Sequence, residues 1–142
     1  MTNNATRFAS QINAKLNGFV PETAIILGSG LGRLAEKISQ PQIIKYEDID
    51  GFPQTSVSGH TGALIAGQIS GKNVICLQGR FHLYEGHQPQ VIAQVIQTLK
   101  LLGVKQLVVT NAAGSLNPDM PPGSLMLISD HINFSGKNPL IG

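Results

Sequence analysis

The 142-residue sequence has no tryptophan, one cysteine and only 5% aromatic residues. Its charged residues amount to 13%, against about 25% in ordinary soluble domains. Each shortage excludes something. A lone cysteine permits no disulfide within the chain, and Cys76 lies in the apolar run Val74-Ile75-Cys76-Leu77, as a core thiol does. No apolar run approaches the roughly 18 residues of a membrane-spanning helix. There is no glycine period of the collagen kind. No HExxH, cysteine cluster or histidine pair at helical spacing argues for a metal, so Asp130-His131 reads as structural. Met1 to Ala5 carries neither the basic nor the apolar part of a signal peptide, which sets the expectation of a cytoplasmic protein. Ten Lys and Arg against eight Asp and Glu leave a net charge of +2. The basic residues are scattered, which argues against nucleic-acid or membrane-surface partners. The scarcity of charge also suggests surface meant for burial against other protein.

What is present is an ordinary apolar content, 42%, enough to exclude disorder and to form one core domain. Phe8, Ala9, Ile12 and Leu16 recur at helical spacing over residues 5–17. Thr23 to Leu27 is a short apolar run typical of a buried strand. Gly28-Ser29-Gly30-Leu31-Gly32 then turns into a short helix, Leu34 to Ile38. Residues 43–58 read as extended segments broken at Gly51 and Pro53. Ala63–Ile69 and Asn73–Gln78 read as two strands joined at Ser70-Gly71. Pro89 opens a helix whose broad apolar face carries Val91, Ile92, Val95, Ile96, Leu99 and Leu102. Leu107 to Thr110 reads as another buried strand and Leu125 to Ser129 as a last one. Strands alternating with helices specify an α/β fold with a mixed, largely parallel sheet flanked by helices. In such sheets ligands bind at the carboxyl ends of strands.

Three segments, after the strands ending near Leu27, Gln78 and Thr110, put chemistry there, and a fourth carries His60. The glycines of Gly28-Ser29-Gly30-Leu31-Gly32 let backbone N–H groups approach an anion, the following helix start favours negative charge, and Ser29 adds a hydroxyl. Arg33 stands where the dinucleotide fingerprint needs its last glycine, which argues against a nucleotide-dependent oxidoreductase. A plain strand-to-helix turn is the competing reading. In Gly79-Arg80-Phe81-His82-Leu83-Tyr84-Glu85-Gly86, an extended loop would put Arg80, His82 and Tyr84 on one face, with Phe81 and Leu83 packing inward. A guanidinium fork beside an imidazole and a phenol suits a phosphate next to a sugar. His60, between glycines in Ser58-Gly59-His60-Thr61-Gly62, suits either an anion contact or an idle loop position. The small residues Asn111-Ala112-Ala113-Gly114-Ser115 would let a flat ligand approach the backbone.

Together these segments resemble the trimeric purine nucleoside phosphorylase family. The resemblance runs in order through Ile26 to Gly32, Gly51-Phe52-Pro53, Gly59-His60-Thr61-Gly62, Gly79 to Gly86, Thr110 to Leu116, and Asp130-His131-Ile132-Asn133. It covers nearly everything beyond about residue 20. It implies the phosphorylase-type three-layer fold and attack of inorganic phosphate on the anomeric carbon of a purine nucleoside. Free purine and (deoxy)ribose 1-phosphate would be released, as in purine salvage. Phosphate would be held by Ser29, His60, Arg80, Phe81, His82 and Ala112, with Arg80 and His82 catalytic. The sugar and base would lie against Tyr84, Ala112, Ala113 and Gly114. The resemblance implies a homotrimer, no metal and no organic cofactor, phosphate being a co-substrate. Family members are much longer and recognise the purine with later residues. The expectation is therefore a single domain over 1–142, the N-terminal half of a phosphorylase domain, inactive alone. The alternative is a non-catalytic fragment that needs a partner chain for stability. A nucleosidase using water is a further alternative, disfavoured by Arg80 beside Ser29.

Overall fold

The structure is a computed structural model and describes residues 3–55 and 62–139. Helix α1 spans Asn3–Leu16, and its buried face is Ala5, Phe8, Ala9, Ile12 and Leu16, as the spacing predicts. Helix α2 spans Pro89–Leu101 with Pro89 in its first turn, where a missing N–H costs nothing. The strands are β1 (Thr23–Ile26), β2 (Ser39–Lys45), β3 (Ala63–Ile69), β4 (Lys72–Gln78) and β5 (Gln106–Val109). They form one sheet in the order β2-β3-β4-β1-β5.

The sheet is mixed. β2, β3 and β4 pair antiparallel, through the two-residue turn Ser70-Gly71 between β3 and β4. β4, β1 and β5 pair parallel, with Ile26 beside Leu77 on one side and beside Val109 on the other. Parallel neighbours need crossovers, and α2 lies in the crossover from β4 to β5. Because side chains alternate along a strand, β4 sends Ile75 and Leu77 to the helical face and Val74 and Cys76 to the other. On the helical face Phe8, Ile12, Leu16, Val95 and Leu99 pack over Ala24, Leu64 and Ile75. On the other, Ala35 and Ile38 pack over Ile65, Val74 and Cys76. Burial raises the Cys76 thiol to about 11, in keeping with a core role.

Three local expectations are corrected. The helix after the glycine turn is a six-residue 3-10 element, Gly32–Lys37. It is too short for an appreciable helix dipole, so any anion-binding power there belongs to the turn itself. β5 forms but is not buried: Leu107, Val108 and Val109 are exposed, because β5 is an edge strand with only β1 beside it. Leu125 to Ser129 forms no strand, since no described strand pairs with it. Residues 110–139 contain no helix or strand at all. No helix among the described residues is long and apolar enough to cross a membrane.

Candidate phosphate site

Because β1, β4 and β5 run parallel, their carboxyl ends meet at one edge of the sheet. The glycine turn, the Arg80 loop and the Asn111 segment all leave from that edge, as the sequence order of strands and motifs predicts. The turn is closed by the Leu31 N–H donating to the Gly28 carbonyl at 3.2 Å, with Gly30 at φ +80°. Ser29 sits exposed at its crest.

The Arg80 loop is held from behind. The buried Tyr46 hydroxyl donates to the Gly79 carbonyl at 2.7 Å, and its burial raises the phenol well above its usual value. The Tyr46 N–H donates to the Gly62 carbonyl and the Gly62 N–H to the Gln78 carbonyl, tying the end of β4 to the start of β3. Phe81 packs among Tyr46, Phe52 and His87, with ring centroids 5.5, 6.0 and 5.4 Å away. Its ring faces the core, which leaves its main chain for any ligand contact. Leu83, expected to pack inward with it, is part exposed.

On the outer face Arg80, His82 and Tyr84 come together as the two-residue spacing predicts. Arg80 Nε donates to His82 Nε2 at 2.7 Å, and Arg80 Nη1 donates to the Thr110 carbonyl at 3.1 Å. Two of the five guanidinium N–H groups thus fix the fork. For Nε2 to accept, the ring proton must sit on Nδ1, which contacts Glu85 Oε1 at 2.6 Å. The same carboxylate oxygen accepts the His82 main-chain N–H at 2.9 Å. The imidazole stacks on Tyr84, centroids 4.5 Å apart and planes at 18°, while Tyr84 itself is exposed.

Glu85 and Thr110 are the residues that sequence reasoning missed as members of the site. Glu85 had a visible signal, a carboxylate three residues after a histidine. Thr110 had only its place at a strand end, since its hydrogen-bond partners are 30 to 84 residues away. Ala112, Ala113 and Gly114 follow Thr110 in exposed, irregular chain. His60 lies outside the described residues. A shallow groove of about 270 Å³ between α2 and β5, lined by Ile96, Leu99, Lys105 and Leu107 among others, lies near the amino end of β5 and contains none of these residues.

One comparison decides the family. The pattern of the phosphorylase superfamily matches residues 22–142. The chain belongs to the phosphorylase superfamily. Among curated relatives, it is 52% identical over 122 residues to purine nucleoside phosphorylase 1 of Bacillus subtilis, covering 86% of this chain and 45% of that one. It is 50% identical over 125 residues to purine nucleoside phosphorylase of Rattus norvegicus, covering 86% and 43%. A crystal structure of the Schistosoma mansoni purine nucleoside phosphorylase with inosine superposes with a TM-score of 0.74 at 47% identity, over 83% of this chain and 41% of that one. The superfamily fold is that of the mixed sheet described above, and the resemblance seen in the motifs is borne out. The chain spans less than half the length of these relatives.

Proposed function

We propose that this chain carries the phosphate-binding half of a purine nucleoside phosphorylase. The observation that carries the reading is the Arg80–His82–Glu85 network, joined through Thr110 to the glycine turn at the carboxyl ends of three parallel strands. Phosphate is a bidentate partner for the Arg80 fork, and His82, Ser29, His60 and the main chain of Phe81 and Ala112 complete its shell. Tyr84 takes the ribose hydroxyls, and Ala112, Ala113 and Gly114 line the sugar and base. Arg80 acts on the reacting anion itself, and His82 acts together with it, its Nε2 held 2.7 Å from Arg80 Nε.

In the reaction the C1′–N bond breaks, its electron pair leaves with the purine, and the purine takes up a proton. A phosphate oxygen forms the new C1′–O bond. The transition state resembles an oxocarbenium ion. A phosphate fixed beside it is both nucleophile and counter-charge, so placement and electrostatics carry the catalysis. The reading includes no metal or organic cofactor, a homotrimer by family resemblance, and a cytoplasmic location. Residues 1–142 are read as one half of a single phosphorylase domain, supported by the share of each relative that they cover.

Calorimetric titration with inorganic phosphate tests the site. Arg80→Ala is expected to weaken binding by on the order of 10- to 100-fold, the scale of a lost charged hydrogen-bond pair. Unchanged phosphate affinity would sink the assignment. Purified 1–142 is expected not to cleave inosine. Cleavage without added phosphate would favour a nucleosidase instead.

A second reading is favoured by a separate observation: Leu116, Leu125, Leu127, Ile132 and Phe134 stand almost fully exposed. It is a non-catalytic fragment stabilised by a partner chain. A soluble, monodisperse monomer in size-exclusion chromatography counts against it.

A further inference from the structure

We propose that Thr110 is the positioning residue that keeps the glycine turn and Arg80 in one register. An oxyanion held by Arg80 then meets the Gly28–Leu31 turn. The inference rests on the phosphate reading and deepens it. Thr110 is the first residue after β5, and it bonds to three separate places. Its Oγ1 donates to the Ile26 carbonyl at 3.0 Å and accepts the Gly28 N–H at 2.8 Å. Its own N–H donates to that same Ile26 carbonyl at 3.1 Å. Its carbonyl accepts Arg80 Nη1 at 3.1 Å.

A hydroxyl offers one donor and two acceptor sites, so this one spans the first peptides of the turn from both sides. The close approach has a second signature. A Cβ built on Gly28 would lie 2.5 Å from the Thr110 carbonyl oxygen and 2.8 Å from the Asn111 Cα. The glycine at 28 is therefore demanded by the neighbouring chain, and by the same residue whose hydroxyl grips its N–H. Without the hydroxyl, Gly28 loses its acceptor and Thr110 keeps one bond to β1. The carbonyl that orients Arg80 is then set less firmly, and a loss of placement at both partners follows.

Two substitutions separate positioning from mere stability. Thr110→Val keeps the β-branched shape that suits a strand end and removes the hydroxyl; Thr110→Ser keeps the hydroxyl and loses the methyl. Inorganic phosphate binding is measured by calorimetry, the Gly28 amide and Arg80 Nε–H signals by ¹⁵N NMR, and stability by urea. Valine is expected to weaken phosphate about tenfold and move both signals, while serine stays within about twofold. Affinities that merely follow the order of urea midpoints would overturn the proposal, as would a valine variant with unmoved signals and unchanged affinity. If valine does not fold, Thr110→Ala takes its place with the same expectations. If the unsubstituted chain binds no inorganic phosphate, the phosphate reading itself falls. The two NMR signals then decide the positioning role alone, moved together in valine and not in serine if it holds.

Discussion

Leu125-Met126-Leu127-Ile128 is as apolar as Val74-Ile75-Cys76-Leu77, yet Leu127 is 96% exposed and Cys76 fully buried. The two runs differ in their neighbours. Val74 to Leu77 pairs with β3 on one side and β1 on the other, and both of its faces are covered. Leu125 to Ile128 has no paired strand among the described residues and no layer above it. Hydrophobicity is a demand for a partner surface, and the same demand is met in one run and unmet in the other. The boundary between the two regimes falls at Thr110, where the chain leaves the sheet.

Substitutions can break or sharpen this contrast. The largest effect is expected at Phe8, which is buried beneath α1 against Phe52, ring centroids 5.2 Å apart. Phe8→Ala should lower the unfolding free energy by about 3–5 kcal/mol in urea titrations. A small loss would mean that the helical layer is not packed as described.

Next comes pH. The folded Cys76 thiol is raised to about 11 from its ordinary 9.0, so the unfolded chain ionises it first. Its contribution is intact below pH 9 and is lost as pH climbs towards 11, about 3 kcal/mol in all at 1.36 kcal/mol per unit. Cys76→Ala should remove that part of the slope between pH 9 and 10, and adding Leu127→Cys to it should not restore the slope. A restored slope would place residue 127 in an apolar interior.

A smaller effect belongs to the hydroxyl behind the Arg80 loop. Tyr46→Phe keeps the ring and leaves the Gly79 carbonyl without its donor, at a cost of about 1–3 kcal/mol. Hydrogen exchange should locate the loss at residues 79–86. Uniform exchange across the sheet would argue for global weakening instead. The smallest effect is expected in the exposed run, where Leu127→Ala should stay within about 0.5 kcal/mol. A loss comparable to that of Phe8→Ala would erase the contrast altogether.

Much of the fold was legible because periodicity reports which face is buried. Ala5 to Leu16 announced α1, Pro89 announced the start of α2, and the apolar runs at Thr23, Ala63 and Asn73 announced strands that sit in the sheet. What periodicity cannot report is whether a partner exists, and this accounts for both strand corrections: β5 formed but stayed open, and Leu125–Ser129 did not form. The site divided along a similar line. Arg80, His82 and Tyr84 could be grouped because they are near in sequence and extended chain has a period of two. Thr110 could not, since its hydroxyl works on residues more than eighty positions earlier. Glu85 lay between: its spacing to His82 was readable, while its simultaneous grip on the ring and the main chain was a matter of geometry.

The close approach of Gly28 to Thr110 bears on how such a sequence can drift. Every other residue at 28 adds at least a methyl group where only 2.5 Å separates it from a carbonyl oxygen. A flexible side chain could swing aside; a main-chain oxygen anchored by a strand cannot. Single exchanges at 28 therefore have no mild version, and a new residue there must arrive together with a shifted strand end. Position 28 is therefore one to hold as glycine when any other part of the glycine turn is redesigned.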